Sequence, residues 1–418
     1  MNILIKETVK CYTINSLFNS IQFNSIRNNF KLILGIIIAG IIILYSCRSY
    51  TGPIKKGNND LNGEEEQVMS PDSKKSVVFN NDACIIPALT VTKDNILIAA
   101  VGDKNNKGKI LIKTSKDAGT SWTSYNGNIK SDNITNGFAH PFFINCNNGD
   151  ILLGIATTNT GEDTVSFYRG SANATSWNKE GATIVKATKV TNQAGKQLTP
   201  GNAFATYGNG IALKHGTNDK NTLLFPYYYN DSTGSGVIST MISTNNGANW
   251  EAYGRDEGAY SSYGAKFIEI ENGDILYFMN NREGTAWFES KDCGKTSKCI
   301  TLFTATAHND INVKYADFVR YEFDGQDIIK SDGSKYALMA YSSGGSYGVK
   351  LTTDDFNNGM NTGSGTFYYQ EVGTSSLSET YPSITVLRDG TIATLAAEDN
   401  EIVFRRFELK WLMGEGDY

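Results

Sequence analysis

The sequence has little of what metal centres and nucleotide sites are built from. Only three histidines occur in 418 residues, at 140, 215 and 308, too few and too scattered for a histidine-based metal centre. No CxxC pair, HExxH, Walker loop or GxGxxG is present, so the zinc-ribbon, zincin, P-loop and dinucleotide-binding classes drop out. Nothing resembles a calcium-binding loop, and no cofactor is expected. An excess of basic charge is also missing: 38 Lys and Arg against 43 Asp and Glu leave a net charge of −5, which gives no footprint for nucleic acid. Prolines number only seven, whereas glycines number 41, tyrosines 22 and phenylalanines 20. With 40% hydrophobic and 19% charged residues, that balance describes a folded, turn-rich chain.

A spanning apolar run is the next absence. Residues 32–46, LILGIIIAGIIILYS, carry no charge, but they fall short of the ~20 residues a membrane-crossing helix needs. Lys31 before the run and the stretch Leu44-Tyr45-Ser46-Cys47 after it fit a secretory signal. The tetrapeptide resembles a bacterial lipobox, with Cys47 as the lipidation site. An uncleaved anchor and a plain signal are the alternatives, and all three put the following chain outside the cytoplasm, held at a membrane in the first two. Residues 48–79 are polar and aperiodic and read as a tether, which assigns 1–47 to targeting and 80–418 to the folded domain. Cys293 and Cys299 either bridge across a turn or stay free thiols.

The folded part repeats. The segments 84–100, 138–154, 264–278 and 380–394 superimpose as apolar strands on either side of a tight turn, with Pro87, Pro141 and Pro382 each eight residues ahead of Asn95, Gly149 and Gly390. Looser copies begin near Asn202 and Tyr315. Alternating apolar residues around N-G or D-G turns spell β-hairpins. Six starts, with no helical periodicity and room for four short strands each, imply an all-β, six-bladed β-propeller of four-stranded antiparallel blades. The segment 401–411 is expected to complete the ring.

A second signature recurs: SKDAGTSW at 115–122, STNNGANW at 243–250 and SKDCGKTS at 290–297. In each, Asp or Asn ties its own backbone and Gly takes positive φ, and in the first two Trp packs beneath the turn. These octapeptides and the hairpin repeats resemble the Asp-box (BNR repeat) sialidase, or neuraminidase, family, over about 80–412. The resemblance implies a six-bladed propeller with its cleft at the axis, facing away from Asp117, Asn245 and Asp292, which are structural. It also implies sialylated or related glycans as partners.

Sialoside hydrolysis asks for arginines around the sugar carboxylate, an acid for the leaving oxygen, and a tyrosine nucleophile with a glutamate partner. By resemblance, Tyr381 matches the nucleophile and Arg282 one arginine of the clamp. Lys104 stands where a second arginine is expected and keeps the charge without the bidentate fork. Another expected arginine is replaced by Ile85. The following loop has no carboxylate, so Asp103 is the nearest acid, and Glu398 is a possible support. The glutamate partner falls on Gly264. Arg255 and Arg320 remain as loop candidates, and Tyr227, Tyr228 and Tyr229 as sugar-stacking candidates. Two functions stay open: exo-α-sialidase-type hydrolysis, or a non-catalytic sialidase-like lipoprotein binding a glycan or protein.

Overall fold

Short apolar strands separated by tight turns pair with their sequence neighbours, and the structure, a computed structural model, contains little else. It describes residues 68–80, 84–134, 138–157, 164–185, 190–191, 197–198, 203–205, 207–217, 219–230, 236–253, 265–281, 284–304, 315–323, 326–327, 336–343, 345–353, 355–356, 367–377 and 379–414. The expected signal and anchor, with Cys47, lie outside these residues. Among the described residues no helix is long and apolar enough to cross a membrane; the one helix is a single turn, Leu409–Leu412.

Six antiparallel blades form the propeller. Their inner strands are Cys84–Val91 in blade 1, Ala139–Asn145 in blade 2, Ala203–Ala205 extended by Ile211–Ala212 in blade 3, Lys266–Glu269 in blade 4, Ala316–Arg320 in blade 5 and Ser383–Val386 in blade 6. These strands meet one another in cyclic order, blade 6 returning to blade 1. Blade 3 carries two further short strands beyond the expected four, Val190–Thr191 and Gln197–Leu198. Apolar faces of adjacent blades pack together: Phe142, Phe167, Phe225 and Met241 join blades 2 and 3.

Closure differs from the expectation. Glu401–Phe407 is the third strand of blade 6, and the outermost strand is Lys75–Asn80, paired antiparallel to it from Lys75↔Arg405 to Asn80↔Glu401. Residues 75–79, assigned to the tether from sequence, therefore belong to the ring. Val78 and Phe79 are 1% and 4% exposed and pack with Leu395 and Phe404. The polar residues around them hid a strand of only two inward apolar side chains.

Strand direction gives the ring two distinct ends. In blade 1, Cys84 pairs with Asp103 at one end. Val91, Leu97 and Ser115 share the other, from which the first octapeptide departs. That octapeptide folds by a local hydrogen-bond set: Ser115 Oγ donates to Asp117 Oδ1 at 2.7 Å, and Gly119 and Ser121 backbone N–H groups donate to Ser115 Oγ and Asp117 Oδ1 at 2.8 and 2.9 Å. Ser243, Asn245 and Gly247 repeat the pattern, as do Ser290, Asp292 and Gly294. Gly119 has φ +89°, and a Cβ there would lie 2.1 Å from Phe404 Cε1. Cys293 lies in the third copy, and the side chain of Cys299 lies outside the described residues.

Removing the outermost strand should unzip blade 6. A chain starting at residue 81 loses the burial of Val78 and Phe79, about 3–6 kcal/mol together, and should melt well below one starting at Glu66. Thermal denaturation checks this; equal melting temperatures would mean the strand is dispensable for closure.

Candidate functional site

The end where the inner strands begin collects aromatic side chains on the axis. Tyr381, just ahead of the blade 6 inner strand, has its ring centroid 4.2 Å from that of Tyr315 and 5.4 Å from that of Tyr207. Tyr207 in turn stands 4.9 Å from His140. These residues come from blades 2, 3, 5 and 6, so the cluster exists only when the ring is closed. The Tyr381 hydroxyl donates a hydrogen bond to the Glu379 carboxylate. Burial, the Glu379 acceptor and Tyr315 push the Tyr381 phenol well above its ordinary range. Burial likewise raises Tyr315 to about 12. Both phenols are neutral at pH 7.

Backbone strain marks this end. Tyr381 has φ +44° and Ile86 has φ +50°, each immediately before a proline, Pro382 and Pro87. A non-glycine residue at positive φ costs of order 1–3 kcal/mol, the more so for β-branched Ile86. Neighbouring blades thus share a strained residue before proline near the start of their inner strands.

Beneath the aromatic cluster lies a buried polar hub. Asp317 Oδ2 accepts from Ser383 Oγ at 2.8 Å, Ile384 N at 3.2 Å and Asn209 Nδ2 at 3.3 Å. Asn209 also donates to Leu89 O at 2.9 Å and accepts from Phe143 N at 2.9 Å. Lys266, from blade 4, is 2% exposed, and its Nζ has no hydrogen-bond partner among the described residues. Burial lowers the Lys266 ammonium to about 8, against the opposing pull of the Asp317 charge. Burial, with the Lys266 charge second, lowers His140 to about 3, leaving it neutral. Desolvation raises Asp317.

Of the residues expected from sequence, Tyr381 stands at the axial end, and Asp103 and Lys104 occupy the same end of blade 1. Asp103 Oδ1 caps its own turn by accepting Asn105 N at 2.9 Å, and Lys104 is exposed. Arg282, Arg255 and Gly264 lie outside the described residues, as does the side chain of Ile85. Glu398 does not serve Tyr381: Arg405 Nε and Nη2 donate to its oxygens at 2.7 and 2.9 Å, Tyr347 Oη at 2.9 Å and Lys75 Nζ at 3.3 Å. This array fastens the closing strand to blades 5 and 6. Arg320 sits at the opposite end, bonded to Glu322 and Asp355. Tyr227 and Tyr228, 0% and 4% exposed, are core residues; the side chain of Tyr229 lies outside the described residues.

Sequence reasoning missed Glu379, although it stands two residues before Tyr381, because the carboxylate partner was sought on blade 4. It also missed Lys266 and Asp317, whose signal was a charge near the start of each short, buried inner strand, KFIE and ADFVR. Among the described residues no group of His, Cys, Asp and Glu is arranged to hold a metal ion.

This architecture is that of sialidase-like six-bladed propellers. The intramolecular trans-sialidase of Ruminococcus gnavus is similar at 13% identity over 81% of this chain and 98% of that one, with a TM-score of 0.56. The leech intramolecular trans-sialidase is similar at 12% identity over 81% of this chain and 71% of that one, with a TM-score of 0.60. Trypanosoma rangeli sialidase is similar at 16% identity and a TM-score of 0.59; the match covers 83% of this chain but 59% of that longer one. No family model and no curated protein matches the sequence. The likeness is therefore one of fold.

The Lys266 ammonium supplies a pH test. Its folded value, about 8, lies below the ordinary ~10.4 for lysine. Above pH 8 the unfolded chain holds the extra proton, so stability should rise between pH 8 and 10.4, by up to roughly 3 kcal/mol. The penalty is complete below pH 8. Denaturant titrations should show this rise in the wild type relative to Lys266→Met; equal pH slopes in both would exclude a buried, destabilised ammonium.

Removing the hub carboxylate leaves Ser383, Asn209 and the Ile384 N–H without their acceptor and Lys266 without its counter-charge. Asp317→Ala should cost about 3–5 kcal/mol, read as a lower denaturant midpoint.

Proposed function

We propose that the chain is a sialidase-like surface protein that engages sialylated or related acidic glycans at the Tyr381 end of the axis, with exo-α-sialidase-type hydrolysis as its activity. The observation that carries this reading is the Tyr381–Glu379 hydrogen bond, set in a cluster of tyrosines where sequence resemblance expects a nucleophile. A neutral phenol is a weak nucleophile, and an adjacent carboxylate activates it. In the reaction, Tyr381 Oη bonds to the anomeric carbon, its proton passes to Glu379, and the glycosidic C–O bond breaks. Asp103, at the same end of blade 1, is the acid proposed to protonate the departing oxygen. Water then releases the glycosyl group from Tyr381. Arg282, with Lys104, is proposed to hold the sugar carboxylate. The reading of Cys47 as a lipid site supports a membrane-anchored protein displayed outside the cytoplasm.

A non-catalytic glycan- or protein-binding role is the second reading. It is favoured by the turn between Asp103 and Lys109, which offers no carboxylate of its own beyond Asp103, and by Ile85 in an arginine position. Loss of a general acid costs roughly 10²–10⁴ in rate.

Release of a fluorogenic leaving group from an α-sialoside tests the two. Hydrolysis by the wild type, reduced at least 100-fold in Tyr381→Phe and strongly in Glu379→Gln, is the expected outcome. Background rates in all three, with retained sialoside binding, would sink the hydrolase reading and leave the binding one.

A further inference from the structure

The opposite end of the axis, where the inner strands finish and the octapeptide turns lie, opens into a cavity of about 630 Å³ lined by all six blades. Asn209, in the polar hub, contributes to its floor, so the hub separates this cavity from the tyrosine cluster.

Its charges are unevenly committed. Glu269 accepts the Lys214 and His215 backbone N–H groups at 2.6 and 3.1 Å. Glu322 accepts Arg320 Nε at 2.7 Å and stands 2.9 Å from His215 Nε2. Burial opposes ionisation of Glu322, but hydrogen bonds and charge from His215 and Arg320 prevail and hold it down at about 2. Asp150, the third carboxylate of the lining, stands 3.4 Å from Arg169 Nη1, so all three are met by the protein's own donors. The cations are less so. Arg320, 8% exposed, bonds to Asp355, Glu322 and the Glu269 carbonyl, and its buried Nη2 has no hydrogen-bond partner among the described residues. Among the described residues, Lys93 Nζ donates to the Asn147 carbonyl at 3.1 Å. Neither Lys93 nor Lys214, both exposed, has an ion pair among the described residues. Lys93, Lys214, Arg320 and Arg388 come from blades 1, 3, 5 and 6 and line the same cavity; Arg388 Nη1 donates to the Lys93 carbonyl.

From this geometry we infer a second ligand site, which takes a carboxylate-bearing saccharide of one or two sugar units. The volume lies within the ~300–1,000 Å³ of small-molecule pockets. A carboxylate seats between the exposed Lys93 and Lys214 ammonium groups, with the buried Arg320 guanidinium adding its charge to the field. Phe323 in the wall offers an apolar face to a sugar ring. The cations are spread around the axis, and the Lys214 and His215 N–H groups are already spent on Glu269. That arrangement fits an acid on a wide ring better than a compact phosphate.

The test is calorimetric titration of the full chain with glucuronate, N-acetylneuraminate and inorganic phosphate, on the wild type, Lys93→Glu/Lys214→Glu and Tyr381→Phe. Both lysines are exposed, so the double variant should fold as the wild type does, which circular dichroism verifies. The expected result is binding of one or both sugar acids, weakened at least tenfold by the double charge reversal and by raised salt, and unchanged in Tyr381→Phe. No sugar-acid binding, equal affinity in the double variant, or phosphate binding as tightly as the sugars would each overturn the assignment. Binding lost in Tyr381→Phe but kept in the double lysine variant would place the ligand at the other end and also overturn it. Because that variant separates the two ends, failure here is distinct from failure of the hydrolase reading.

Discussion

A carboxylate buried on the axis governs the rest of the molecule. Asp317 is 2% exposed, and an ionised carboxylate without water is tolerated only when every side of it is met by donors. The donors come from different blades. Ser383 and Ile384 belong to blade 6, and Asn209 to blade 3. Ser383 Oγ accepts the blade 1 Leu89 N–H at 3.1 Å, and Asn209 accepts the blade 2 Phe143 N–H. Lys266 brings the counter-charge from blade 4. Apolar packing between blades is non-directional and would permit sliding. The hub fixes register, because blades 1, 2, 3, 5 and 6 meet there through directional hydrogen bonds and blade 4 adds a charge.

The same hub divides the axis chemically. On one side stand the positive-φ residues Ile86 and Tyr381 and the tyrosine cluster. On the other side lies a cavity lined by charged groups. A continuous channel would let water reach Asp317 and Lys266 and relax both shifted ionisations. Closing it keeps the Lys266 ammonium near neutrality and the phenols protonated. The chemistry available to each end follows from which side of the hub it lies on.

Much of the fold was legible in the sequence because propeller blades are local structures. Pro87, Pro141 and Pro382 with their following turns, and the octapeptides at 115, 243 and 290, report hairpins formed by residues close in the chain. What escaped was non-local. Lys75–Asn80 pairs with a strand more than 300 positions away, and its pattern of two buried apolar residues among polar ones carries no signal on its own. The site was less legible for the same reason. Tyr381 was singled out by resemblance, but its hydrogen bond to Glu379 required knowing how the backbone turns at φ +44°. Glu398, by contrast, looked available until the closing strand brought Lys75 beside it and Arg405 claimed it.

Arginine placement then constrains what the tyrosine end can do. Among the described residues, Arg169 is bonded to Glu180 and Asp150, Arg320 to Asp355 and Glu322, Arg405 to Glu398 and Asp72, and Arg406 to Asp389. Arg388 donates to the Lys93 carbonyl at the cavity end. Each holds strands or turns together, and none is bonded to Tyr381 or Glu379. The buried cation beneath the tyrosines is instead Lys266, a point charge without a planar fork, whose protonation changes near pH 8. An anion approaching this end would raise that value by pairing with the ammonium. Ligand binding there and proton uptake by Lys266 are therefore linked, in a way that a guanidinium clamp, charged at all accessible pH, would not be.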